Sequence, residues 1–315
     1  MIKKLRELTS GNTDNDSMKF NRVGKVNNIL FNGVLLFLSL AAVIPFLFVI
    51  VISLTDEQSL IENGYRFIPE KWSFYAYEYI LTAGEGIIDS FGVSIVVTVL
   101  GTLVGLVLTS TYAYALSRKT FAYKQFFTRL AFIPMLFSGG MVASYMVVVR
   151  FLDIKNTIWA LILPICVSSF NIIVLRTFFN TSIPDSIVES AKIDGASEWR
   201  LFLKIVLPIS LPGIATIGLF LTLGYWNDWF NAMLYVDNNT LVPLQYLLIK
   251  IESSVNFLAD NANKMGLGGL QEASKMPQET MRMAIVVLST LPIMFAYPFF
   301  QKYFVNGLTI GAVKE

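Results

Sequence analysis

Six stretches of this chain contain no aspartate, glutamate, lysine or arginine: residues 26–55, 90–117, 130–149, 156–175, 205–227 and 283–301. A helix crosses the hydrocarbon core of a bilayer in ~20 residues, and each stretch reaches or approaches that length. Backbone groups in lipid must be satisfied internally, so each stretch is most simply a transmembrane helix. Composition agrees: 15% of the 315 residues are charged, against about 25% in a soluble domain. The expected fold class is therefore all-α, a polytopic membrane protein with six transmembrane helices. Pro45, Pro134, Pro164, Pro208, Pro212, Pro292 and Pro298 imply kinks, which packed membrane helices tolerate. Gly101 and Gly105 form a small-xxx-small pattern that offers a close helix contact, a weak signal where glycine is common.

Loop charge sets the expected orientation. Residues 1–28 hold six basic side chains (Lys3, Lys4, Arg6, Lys19, Arg22 and Lys25). That head is too long and polar for a signal peptide, so the first stretch is expected to be retained as a span. Residues 118–129 carry four basic residues and no acid, and 176–204 carry four more, whereas 56–89 hold seven carboxylates against Arg66 and Lys71. The positive-inside rule then makes both termini cytoplasmic. The chain divides into a cytoplasmic segment 1–28, a first transmembrane helix 29–55, a five-helix core 86–301 with a cytoplasmic loop 176–204, and a cytoplasmic tail 302–315. On the outer side, the glycine-rich turn at 266–269 is either mobile, a reach toward a partner, or an ordinary connector.

Much chemistry is absent from the sequence. There is no histidine, and the single cysteine, Cys166, lies in an apolar stretch, so a cysteine cluster or disulfide within the chain is excluded. No Gly-xxxx-Gly-Lys-Ser/Thr loop is available to cradle ATP phosphates. A net charge of +2 without a dense basic run gives no reason to expect nucleic acid. Ion-coupled carriers usually bury ionisable groups in mid-membrane, and the six stretches have none of the four charged types. A solute moved uphill would draw its energy from another subunit. The alternative is a channel or an ATP-independent secondary carrier with sodium sites built from carbonyls.

The loop 176–204 is the long mixed-charge segment between two apolar stretches. Thr181-Ser182-Ile183-Pro184-Asp185 reads as a helix start, with Ser182 as N-cap, Pro184 in the first turn and Asp185 completing a capping box. A short helix from about Pro184 to Ile193 places Ile183, Ile187, Val188 and Ala191 on one stripe beside Asp185, Glu189 and Lys192. Gly195 is free to take the left-handed conformation that ends it. A second helix starts near Ser197 and continues through Trp199, Phe202 and Ile205 into the next stretch. The result is a compact cytoplasmic knob. Docking Trp199 or Phe202 in a partner's groove is worth ~1.5–3 kcal/mol for a fully buried side chain. An amphipathic loop lying on lipid headgroups has the same pattern.

Residues 189–208 also resemble the coupling signature, the EAA loop, of ATP-binding-cassette importer permeases. Glu189, Ala191, Asp194, Gly195, Ala196, Phe202, Ile205, Leu207 and Pro208 fall where that pattern places them, and Ser190 replaces the first of the two usual alanines. Asn156-Thr157-Ile158-Trp159-Ala160, Arg176-Thr177-Phe178-Phe179, Trp226-Asn227-Asp228-Trp229-Phe230 and Gly307-Leu308-Thr309-Ile310-Gly311-Ala312-Val313-Lys314 resemble the carbohydrate-importing branch. Ser138-Gly139-Gly140-Met141 and the long last outer loop resemble permeases for complex oligosaccharides. The resemblance implies a type I ABC importer permease fold, with 86–301 as its core, in a bacterial cell membrane. It also implies that Glu189, Ala191, Asp194, Gly195, Ala196, Trp199, Phe202 and Pro208 couple the chain to an ATPase. Implied partners are a second homologous permease, two cytoplasmic ATP-binding subunits, membrane lipid and an extracytoplasmic sugar-binding protein. ATP and magnesium would be held by the ATPase, and no cofactor by this chain. The tail from Leu308 would reach between the ATPase subunits; as a bare chain end it is simply frayed.

Tyr225, Trp226, Asn227, Asp228 and Trp229, at the outer end of the fifth stretch, are the candidate substrate contacts. Aromatic faces stack on sugar rings, and amide and carboxylate groups bond their hydroxyls. An interfacial aromatic belt accounts for the same residues. Helical spacing puts Tyr225 and Trp229 on one face and turns Asn227 away from it. Asn171 and Gln245 are secondary candidates.

Overall fold

The computed structural model describes residues 24–83, 86–261 and 276–311. The expectations for the basic residues of the head up to Arg22, the turn at 266–269 and the last tail residues concern segments outside these. The described residues are helical apart from turns and loops, with one isolated bridge between Thr55 and Trp72.

Helix α1 (Lys25–Ser53) covers the first charge-free stretch without a break at Pro45. Two short helices follow, α2 (Glu57–Asn63) and α3 (Tyr75–Ala83), and then α4 (Ile87–Ser117). The next three stretches, each expected as one span, are each broken. The third is split between α5 (Lys124–Leu136) and α6 (Gly140–Phe151), which opens on Gly140 at φ 78°. The fourth forms α7 (Ile158–Ile165) and α8 (Ser169–Ser182), bent by 56°. After the short α9 (Asp185–Ile193), the fifth forms α10 (Glu198–Ile209) and α11 (Leu211–Trp226), bent by 82°. The reason is local: Pro208 and Pro212 flank Ser210 and remove two backbone donors from one turn. Helices α12 (Phe230–Tyr235), α13 (Leu244–Asn261) and α14 (Gln278–Gly311) complete the described chain. Among the described residues, three helices, α1, α4 and α14, are long and apolar enough to cross a membrane, and counting each bent pair as one span raises the number to five.

Helix α4 is the axis of the molecule, with α8 and α11 packed along it. The glycine pattern is what lets α11 approach. A Cβ at Gly101 would stand 2.6 Å from ring carbons of Tyr225, and one at Gly105 only 2.9 Å from Leu221 Cδ1 of α11 and 2.8 Å from the Cys166 carbonyl oxygen between α7 and α8. Helix α1 packs against α14 and leaves Ile29, Leu36 and Phe37 exposed, as a lipid-facing surface would. At the far end of α14, Glu57 accepts from Glu279 N at 3.0 Å, Thr280 N at 3.0 Å and Thr280 Oγ1 at 2.7 Å. A carboxylate there satisfies first-turn amides and complements the helix dipole, tying α2 to α14.

Candidate functional site

The knob begins at a proline. Pro184 occupies the N-cap position of α9 without a side-chain cap, and Ser182 is the last residue of α8, so the expected Ser182 N-cap and its capping box with Asp185 do not form. Ile183 precedes the proline and is extended at φ −113°, ψ 106°, the conformation that Pro184 sterically favours. This kink keeps α8 and α9 from merging. Ile183 and Ala191 are buried and Val188 half-buried, joining a core with Leu175 and Phe179 of α8 and Leu201 of α10. Ile187, expected on the same stripe, is 39% exposed. Glu189 and Lys192 are exposed beside this core, and Ile193, 86% exposed, points away from it.

Gly195 adopts φ 76°. Its N–H donates to Lys192 O at 3.0 Å, and Ala196 N–H donates to Ala191 O at 2.9 Å. These two bonds form a Schellman ending, with the following chain turned back across the helix. Ser197 then caps α10, its hydroxyl accepting from Arg200 N at 3.4 Å. Expected to be available to a partner, Phe202 is instead packed inside: it is 4% exposed, its ring 4.8 Å from that of Tyr114. It lies against α4, while Trp199, its neighbour one turn back on the same side of α10, remains 67% exposed. Pro208 is exposed beside the bend into α11, and Asp194 is exposed at the end of α9.

Two polar straps fasten the knob. Tyr114 Oη donates to Glu198 Oε2 at 2.5 Å, and Lys192 Nζ reaches Glu198 Oε1 at 2.8 Å. Lys119 Nζ meets Asp185 Oδ2 at 2.6 Å, and this bonded cation holds the Asp185 carboxyl below the ordinary carboxylate range. Tyr114 and Lys119 had no place in the sequence reading of the loop. Tyr114 lies inside a charge-free stretch, and Lys119 counted there only as loop charge.

The second candidate cluster divides in two. Tyr225 is buried, its Oη donating to Ile162 O at 2.8 Å. Trp226 is buried, its Nε1 donating to Ser289 O at 2.8 Å. The hydrogen-bonding ends of both are thus committed within the protein. Trp229 follows the end of α11 and is 39% exposed, so the helical face expected for Tyr225 and Trp229 is interrupted. Asn227 and Asp228 line a cleft of about 340 Å³ together with Asn171, Phe220 and Tyr225. Burial pushes the Asp228 carboxyl above its ordinary range, opposed by bonds from Asn231 Nδ2 at 2.8 Å and Asn231 N at 3.1 Å. The Asn171 amide is buried in the cleft wall, while Gln245 Nε2 is buried without a hydrogen-bond partner among the described residues and does not line this cleft.

Comparison with known proteins places this architecture. Residues 101–310 match the family described as "Binding-protein-dependent transport system inner membrane component". The chain is 40% identical over 287 residues to the polygalacturonan/rhamnogalacturonan transport system permease protein YtcP of Bacillus subtilis (strain 168), covering 91% of this chain and 98% of that protein. It is 38% identical to Protein LplC of the same organism, covering 94% and 96%. A chain from the crystal structure of a bacterial ABC transporter involved in the import of the acidic polysaccharide alginate matches with a TM-score of 0.73 and 29% identity. That match covers 90% of this chain and 99% of the other. With a bent-helix core arranged around α4 and a family match extending from Gly101 into α14, this chain belongs to the inner-membrane permease components of binding-protein-dependent ABC transport systems.

Proposed function

We propose that this permease serves an importer of oligosaccharides and that the α9–α10 knob receives the stroke of a cytoplasmic ATPase. The observation that carries the proposal is the knob's construction. Ala191, Leu201 and Phe202 root it in the α4–α8–α11 core, while Glu189, Ile193 and Trp199 are left outward. A part that is rigid on one side and unpartnered on the other transmits displacement. In this reading the six charge-free stretches make six spans, three of them broken, with both termini cytoplasmic. The basic loops meet at one end through Lys119 and Asp185, and the acidic outer segments meet at the other through Glu57 and Thr280, which supports that orientation.

Two ATP-binding subunits closing on ATP and magnesium would draw α9 toward its counterpart on a second homologous permease. The bend at Ser210 passes the movement to α11, whose outer end carries Asn227 and Asp228. There Asn171, Asn227 and Asp228 would bond the hydroxyls of a sugar released by an extracytoplasmic binding protein. Relatives named for polygalacturonan/rhamnogalacturonan and for alginate favour a complex-polysaccharide fragment as cargo. The test is uptake by Glu189→Lys and Gly195→Asp variants that still insert in the membrane. Loss of uptake is expected; normal transport by both would remove the mechanical role of the knob. Reconstitution of the permeases without ATPase subunits should give no transport.

A further inference from the structure

Beside the knob lies a cleft of about 480 Å³, walled by the end of α4 and the residues after it, the start of α5, the end of α8 and one side of α9. Arg118, Lys119, Lys124 and Lys192 line it, with Asp185 and Glu189 as the carboxylates on its wall. Lys192 is taken by Glu198 and Asp185 by Lys119. Among the described residues, Arg118, Lys124 and the nearby Arg176 have no carboxylate within 4.0 Å. Arg118 instead lies 4.9 Å from the centre of the Tyr114 ring. Burial and the neighbouring charges of Arg176, Arg118 and Lys119 push Lys124 below the ordinary lysine range, and the lining as a whole sets four cations against the carboxylates of Asp185 and Glu189. Charge-free helix runs up to Ser117 and Arg118 follows at once, which sets the cleft at the level where a span leaves the hydrocarbon. Basic pockets between helices at the cytoplasmic surface suit phosphate headgroups.

We propose that this cleft holds the phosphodiester headgroup of an anionic phospholipid, bonded by Lys124 and Arg118, and so places a lipid against the wall of the coupling helix. The inference rests on the cytoplasmic orientation proposed above. A bound headgroup would compete with Asp185 for Lys119 and loosen the strap at the start of α9, linking membrane composition to the knob.

The test uses the assembled transporter purified from membranes, with lipids retained on it measured by native mass spectrometry. Phosphatidylglycerol and phosphatidylcholine are offered in equal amounts, in the absence and presence of inorganic phosphate. The expected result is preferential retention of phosphatidylglycerol by the wild type. The Lys124→Gln/Arg118→Gln variant should hold it about 25-fold more weakly, two losses of roughly fivefold each. An Arg66→Gln control, on the opposite face, should retain it fully. Equal retention of the two lipids by the wild type overturns the proposal even where the double variant fails to assemble. So does displacement of phosphatidylglycerol by inorganic phosphate, which would make the ligand a soluble anion. Failure of ATPase subunits to copurify would instead count against the coupling reading, since lipid retention is read without transport.

Discussion

Replacing Phe202 and Trp199 by alanine, one at a time, separates anchoring from docking. They are three residues apart on α10, with ring centroids 6.2 Å from each other, yet Phe202 is 4% exposed and Trp199 67%. Phe202→Ala removes a buried ring and leaves a void, a loss of ~3–5 kcal/mol. The tilted pairing with Tyr114 accounts for ~0.5–1.5 kcal/mol of that. Trp199→Ala strips mostly exposed surface and should stay within about 0.5 kcal/mol. On the permease pair in detergent, before ATPase subunits are added, Phe202→Ala should lower the unfolding temperature by on the order of 5–10 °C. Trp199→Ala should barely move it. When ATPase subunits are added, Trp199→Ala should bind them more weakly although its own fold is intact. Equal thermal losses in the two variants, or none at Phe202, would refute the division between a root and an outer face.

At Gly195 an added Cβ meets open space, so Gly195→Ala should cost only the left-handed strain of ~1–2 kcal/mol, and Gly195→Asn less; equal thermal losses would refute this. Gly101→Ala should destabilise the permease by ~1–3 kcal/mol through Tyr225, whereas Gly92→Ala, with nothing within 4 Å, should not destabilise it; unfolding temperatures check the contrast. Tyr225→Phe should lose ~1 kcal/mol of stability with sugar affinity unchanged. Asp228→Ala should raise the sugar concentration for half-maximal uptake by about tenfold, equivalent to ~1.4 kcal/mol.

The helical class and the knob's outline were legible because they depend on local properties. Missing charge reports whether a segment tolerates lipid, and a glycine after a short amphipathic run reports a helix end, which Gly195 confirms with its φ of 76°. Continuity was harder to read. Pro208 and Pro212 announced a kink in the fifth stretch but not its size, and hydropathy is blind to a bend of 82°. The Ser182 cap failed for a related reason: α8 continues through Ser182, leaving its backbone helical rather than extended as an N-cap requires. At the outer cluster, residue type suggested sugar stacking for Tyr225 and Trp226. Their partners, Ile162 and Ser289, are each 63 residues away along the chain, beyond the reach of any local pattern.

The most direct test of the central claim is accessibility of a cysteine at Ile193, the most exposed apolar residue of α9, in a Cys166→Ser background. A membrane-impermeant thiol reagent should label it only from the cytoplasmic side, assembly with ATPase subunits should block the label, and a short bifunctional reagent should link it to an ATPase. Labelling from outside the cell, or labelling undiminished in a transporting complex, would contradict the claim.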